Sequence, residues 1–151
     1  MYNTLLSAHN SLRWLFLAAA LYAIIKSLIS FLNKSPFTPA HNKAGSILIA
    51  LTHTQLLIGL ILWFVSPNVQ NALADFGASM KDKSLRLALL EHPLTNIIAV
   101  AIIQIGRIKA KKAYEDVLKH KRVLIYYGLG LLLILSRIPW ANSPIFRFNF
   151  L

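Results

Sequence analysis

Residues 44–65 read AGSILIALTHTQLLIGLILWFV, 22 positions without an aspartate, glutamate, lysine or arginine. As a helix this stretch rises about 33 Å, enough to cross a hydrocarbon core about 30 Å thick. Lys43 stands before it, and Ser66-Pro67-Asn68 closes it. Three further segments have comparable length and apolarity, at about 5–32, 87–108 and 123–140. Their boundaries carry polar residues or helix breakers: Asn33-Lys34-Ser35-Pro36, the basic stretch after Arg107, and Pro139-Trp140-Ala141-Asn142. A soluble bundle would show polar outer faces at helical period, whereas these segments are apolar almost all round. The expected fold is all-α: a single domain over residues 1–151, with four transmembrane helices running up-down-up-down.

The composition agrees with that class. The 151 residues are 56% hydrophobic and 14% charged, against about 45–50% apolar and about 25% charged in soluble domains. A disordered chain cannot be so apolar. The chain has no cysteine, which excludes a disulfide framework and any thiolate chemistry. Its net charge of +11 would suggest nucleic acid in a soluble protein. In a membrane protein basic residues mark sidedness instead, so no nucleic-acid partner is expected. The first span is expected to be retained rather than cleaved as a signal peptide. No basic residue precedes Arg13, and the apolar run exceeds a signal's core.

The distribution of lysine and arginine gives an orientation. Lys26, Lys34, Lys43, Arg107, Lys109, Lys111, Lys112, Lys119, Lys121 and Arg122 fall on one side, ten in all. Arg13, Lys81, Lys83, Arg86, Arg137 and Arg147, six in all, fall on the other. The richer side faces the cytoplasm, which puts both termini outside it. The run 107–122 is expected to extend spans three and four as helix and to lie against anionic lipid.

With connections this short, chemistry has to be carried by polar residues between the helices. Of five histidines, His41 and His120 fall in turns and are expected to be solvated. His53 lies about 13 Å into span two, between Thr52 and Thr54-Gln55. There it either makes an interhelical hydrogen bond or ligates a metal or haem. His92 opens span three, followed by Pro93 in a helix's first turn. Asn96, Ala99, Ile103 and Gly106 continue its face, a stripe suited to a partner helix or a flat cofactor. Glu91 is the one acid within a span and is available to an arginine or to an imidazole. His9 and Arg13 share a face of span one with Phe16, Ala20 and Ser27, while Gly130, Ile134 and Arg137 share one on span four. Arg13 and Arg137 either snorkel to the interface or hold carboxylates, those of Glu91 or of haem propionates. His9 with His92 best meets the equal-depth condition for two axial ligands. His53 lies deeper by about 10 Å on helical rise, a gap that tilt can remove. A divalent metal held by the three histidines and Glu91 is the alternative.

At these residues the chain resembles the short bacterial four-helix membrane proteins described as cytochrome-b-like. The matching pieces are His9-Asn10-Ser11-Leu12-Arg13-Trp14, Thr52-His53-Thr54-Gln55, Gly59 through Pro67, Glu91-His92-Pro93, Ile105-Gly106-Arg107 and Ile138-Pro139-Trp140. The resemblance implies one non-covalent haem b in a bacterial cytoplasmic (inner) membrane, with His9, His53 and His92 as candidate ligands. It also implies electron transfer, either as a carrier or within a larger quinone-linked, respiratory-type complex. No second histidine pair is expected on the cytoplasmic side. Three hypotheses remain: this redox reading; a non-redox accessory protein, homo-oligomeric or bound to a larger complex, whose histidines bridge helices; and a metal or proton pathway. No nucleophile motif or phosphate loop supports hydrolysis.

Overall fold

The computed structural model describes residues 1–138. Within them the chain is helical, with four long helices: α1 (Tyr2–Leu32), α2 (Pro39–Val65), α6 (His92–Lys112) and α7 (Asp116–Ser136). Residues 66–86 are not a plain loop. They fold into α3 (Pro67–Ala74), α4 (Phe76–Ser79) and α5 (Lys83–Arg86), which lead into a π-helical turn, Leu87–Glu91, continuous with α6.

Three helical stretches are long and apolar enough to cross a membrane: Tyr2–Leu32, Pro39–Val65 and Lys83–Lys112. The fourth expected span differs. α7 starts at Asp116, the helical extension expected of the basic run, and Lys119, Lys121 and Arg122 occupy its first two turns. The uncharged run that follows, 123–136, rises only about 21 Å. The remainder of that expected span, Pro139 and Trp140, lies outside the described residues, as does Arg147.

The four long helices form a ring. α1 packs on α2 and α7, α2 packs on α6, and α6 packs on α7. α1 therefore lies diagonally opposite α6, and α2 opposite α7. The faces turned inward are those the helical period marks: Arg13, Phe16, Ala20 and Ser27 on α1, and Ala99, Ile103 and Gly106 on α6. The outward faces carry exposed Leu15, Leu21, Ile25, Ile47, Leu57, Ile97 and Leu132, as lipid-facing helices should.

α6 and α7 approach each other closely. A Cβ on Gly130 would lie 2.4 Å from Ile103 Cγ1, and one on Gly106 would lie 2.2 Å from Tyr126 Cβ. Small residues that admit a neighbour's side chain are the usual means of tight packing between membrane helices. At the same level Arg107 is buried. Its guanidinium donates to Asn42 Oδ1 at 3.1 Å, the Asn42 carbonyl at 3.0 Å and Ser46 Oγ at 2.9 Å, tying α6 to α2.

The expectation that His41 and His120 are solvated is overturned. Both are buried, His120 completely, and their ring centroids lie 4.8 Å apart, with Phe37 4.9 Å from His41 and 5.0 Å from His120. His41 is the third residue of α2, and its Nδ1 accepts the Thr38 backbone N–H at 3.1 Å, half of a capping box. That acceptor role puts the proton on Nε2, which donates to Ser30 Oγ at 3.1 Å. His120 Nε2 donates to the Ser35 carbonyl at 3.2 Å. The pair therefore fastens the α1–α2 turn to α7. Both His41 nitrogens are bonded within the α1–α2 connection, to Thr38 and Ser30, leaving no lone pair there for a metal.

Candidate functional site

At the opposite end of the ring a cavity of about 440 Å³ opens between α1, α2, α6 and α7. That volume lies in the range of about 300–1,000 Å³ typical of ligand pockets. Its wall is mostly apolar, including Leu6, Phe16, Leu56, Leu60, Val100, Ile134 and Ile138. Set into that wall are His9, Asn10, Arg13, Gln55, His92 and Asn96.

His9 and His92 come from diagonal helices and meet here, with ring centroids 6.5 Å apart and planes at 71°. An imidazole nitrogen sits about 2.0–2.1 Å from a metal it binds, so two rings sharing one metal have centroids about 6 Å apart. The observed separation is close to that value.

The surroundings of His92 fix its tautomer. Nδ1 lies 2.7 Å from the backbone carbonyl of Arg137, and a carbonyl only accepts. Asn96 Nδ2 also lies 3.2 Å from Nδ1, but it makes its shorter bond to the His92 carbonyl. The shorter contact to Nδ1, that of the Arg137 carbonyl, assigns the proton to Nδ1 and leaves the Nε2 lone pair available. An N–H given to a backbone carbonyl is the usual outer support of a metal-binding histidine. Asn96 sits one turn further along α6 and donates its amide to the His92 carbonyl at 2.6 Å.

A proline sets the start of α6. Pro93 has no N–H to give the Leu89 carbonyl four residues back. The chain passes this point as a π turn, with the His92 N–H bonded to the Leu87 carbonyl. The Leu89 carbonyl, which an α-helical N–H at residue 93 would have met, accepts the indole N–H of Trp63 at 2.9 Å. This bond pins α2 to the turn that presents His92.

His9 is seated by α2. Gln55 donates to the His9 backbone carbonyl at 2.9 Å. One turn on, Gly59 leaves room for the ring: a Cβ there would stand 3.0 Å from His9 Cε1. Leu48, Thr52, Gln55, Gly59, Leu62 and Ser66 alternate steps of four and three, and form the inward stripe of α2. His53 falls one residue off that stripe, about 100° round the helix. It is exposed, its Nδ1 is bonded to the Ile49 carbonyl at 2.9 Å, and it does not line the cavity.

The arginines divide. Arg13 is buried and lines the cavity, with its guanidinium carbon 5.3 Å from the Trp14 ring centroid. Arg137 faces Glu91 at 3.7 Å, and Glu91 also accepts from Arg86 at 2.8 Å. Glu91 is thus engaged by two arginines outside the cavity. Among the described residues no three or more histidine, aspartate or glutamate side chains gather where they could hold a metal ion. The three-histidine and Glu91 arrangement expected for a divalent metal does not assemble.

No family model, curated protein or solved structure matches the chain. Two imidazoles face each other across an apolar cavity, one with its outer nitrogen close to a carbonyl. A buried guanidinium, that of Arg13, lines the same cavity.

Of the residues that build this site, Gln55 and Gly59 were not assigned a role from sequence. The four-three alternation of the α2 stripe is the signal that selects them and passes over His53.

Proposed function

We propose that this chain is a b-type cytochrome of a bacterial cytoplasmic membrane, holding one haem between His9 and His92. In this reading it has four spans, the fourth at about 123–140, and both termini on the non-cytoplasmic side. Support for the fourth span is the position of α7 in the ring, packed on both α1 and α6. Support for the orientation is the concentration of basic residues at 107–122.

The observation that carries the haem assignment is the imidazole pair at 6.5 Å, with Nδ1 of His92 committed to a carbonyl. Bound haem would supply reversible one-electron transfer. The chain's own part is to present Nε2 of two histidines, place Arg13 toward a propionate, and keep water out with Leu56, Leu60 and Val100. A single haem near one membrane face suits exchange of electrons with a quinone or with a neighbouring respiratory-type subunit.

Absorption spectra of the detergent-purified, haem-supplied full-length protein test the assignment. A Soret band and a sharp reduced α-band are expected. His9→Ala and His92→Ala should each abolish the sharp α-band, and His53→Ala should leave it unchanged. A colourless wild-type preparation would refute the haem reading. It would leave an accessory role in which His9 and His92 bridge helices, seen as stable folding of both variants and co-purification with a larger complex.

A further inference from the structure

Two buried polar atoms at the His9 seat lack a partner: Nδ1 of His9 and Oε1 of Gln55. A partnerless buried polar atom is uncommon and costly. These two belong to residues already in contact, because Gln55 Nε2 reaches the His9 carbonyl at 2.9 Å. They are also complementary. The amide oxygen can only accept, whereas Nδ1 can carry a proton.

We propose that Gln55 is the positioning residue for His9. Its Oε1 takes the Nδ1–H, directly or through one water, and so holds His9 with its Nε2 lone pair toward the cavity. The proposal rests on the haem reading for its use, and it adds a residue that reading does not require. It makes the two sides of the site equivalent. On α6 a backbone carbonyl, that of Arg137, fixes the Nδ1–H tautomer of His92. On α1 the equivalent acceptor comes from a side chain of another helix. Nδ1 of His9 makes no hydrogen bond to a carbonyl of its own helix, and the unpartnered acceptor at its seat, Oε1 of Gln55, belongs to α2. Gly59, one turn beyond Gln55, keeps the ring close enough for that contact.

The two acceptors differ in one respect: only Gln55 can be altered by substitution. Gln55→Leu removes the acceptor while keeping similar bulk. Gln55→Glu gives up the donor to the His9 carbonyl but offers the Nδ1–H a carboxylate and the ring more imidazolate character, which favours the oxidised iron.

The test uses the full-length chain in detergent, labelled with ¹⁵N-histidine and purified without haem, beside the haem-supplied protein. In the wild type the His9 ring nitrogens should report a single Nδ1–H tautomer. In Gln55→Leu they should report a mixture or the Nε2–H form, and haem affinity should fall several-fold. Gln55→Glu should retain haem and shift its midpoint potential downward. An unchanged His9 tautomer in folded Gln55→Leu, or an unshifted potential in Gln55→Glu, would overturn the role of Gln55. If Gln55→Leu fails to fold, Gln55→Glu alone decides. A wild-type protein that binds no haem overturns the haem reading, while the tautomer measurement still judges the Gln55 contact.

Discussion

The bond between Trp63 and the Leu89 carbonyl exists because Pro93 cannot make it, and this gives a stability prediction with a built-in control. Trp63→Phe keeps an aromatic ring against Val69, Ala72 and Leu89 but removes the indole donor. Leu89 is buried, so its carbonyl is left without that partner. An unmet buried acceptor costs about 1–3 kcal/mol in proteins generally. Side-chain hydrogen bonds in a membrane protein measure nearer 0.6 kcal/mol, with a maximum of about 1.7 kcal/mol. Because the bond lies at the end of the bundle and its acceptor is well covered, about 1 kcal/mol is the expected hydrogen-bond component. The smaller ring adds a packing loss of its own. Pro93→Ala separates the two, because it restores an N–H that the Leu89 carbonyl can accept. In the Pro93→Ala background Trp63→Phe should therefore cost about 1 kcal/mol less than in the wild type. Reversible unfolding in mixed micelles of increasing SDS fraction, followed by far-UV circular dichroism, gives all four corners of the cycle. Equal costs in the two backgrounds, within about 0.3 kcal/mol, would refute the argument that proline creates the bond.

Other expectations are simpler. Gly130→Ala puts a methyl 2.4 Å from Ile103 Cγ1 and 3.2 Å from the Ala99 carbonyl, so α6 and α7 must part. Such overpacking costs about 1–3 kcal/mol, whereas Gly128→Ala, whose Cβ would meet nothing within 4 Å, should be neutral or slightly stabilising in the same micelle assay. Near the start of α7, the hydrogen bond from Lys119 holds the Asp116 carboxyl below its ordinary pKa. A lowered folded pKa means the pair's contribution is full above the unfolded value and is lost as pH falls through the folded one. A ¹³C-carboxyl titration should show Asp116 ionising below a free aspartate, and Lys119→Ala should return it toward the ordinary value.

Helix identity was legible because length and apolarity are summed over twenty or more residues, and local exceptions do not cancel them. Depth and azimuth were less legible. His53 drew attention by its polar neighbours, yet the face it occupies is set by the phase of the Leu48–Thr52–Gln55–Gly59 stripe, and that phase turns it outward. His120 is the complementary case. Among lysines it looked like a surface residue, but His120, Val123, Tyr127, Gly130 and Ile134 continue one buried stripe. His41 could have been found from Thr38-Pro39-Ala40-His41, which has the spacing of a capping box with histidine in place of glutamate. The π turn before Pro93 had a sequence cue in the proline itself. Its partner, Trp63, lies 26 residues away, and a bond of that span is invisible to local pattern.

The ring of helices also has a consequence for how the protein is made. Each half of the chain is a hairpin closed by a short turn, α1 with α2 and α6 with α7, and neighbours in sequence can pair as soon as both are inserted. His9, Gln55 and Gly59 come from the first hairpin, while His92 and the Arg137 carbonyl come from the second. Neither half owns the cavity, which comes into being only when the two hairpins dock. Whatever occupies it adds its binding free energy to that docking step alone, so the occupant would act as a checkpoint on assembly. A chain left empty should separate first along the α1–α7 and α2–α6 seams, with each hairpin still intact.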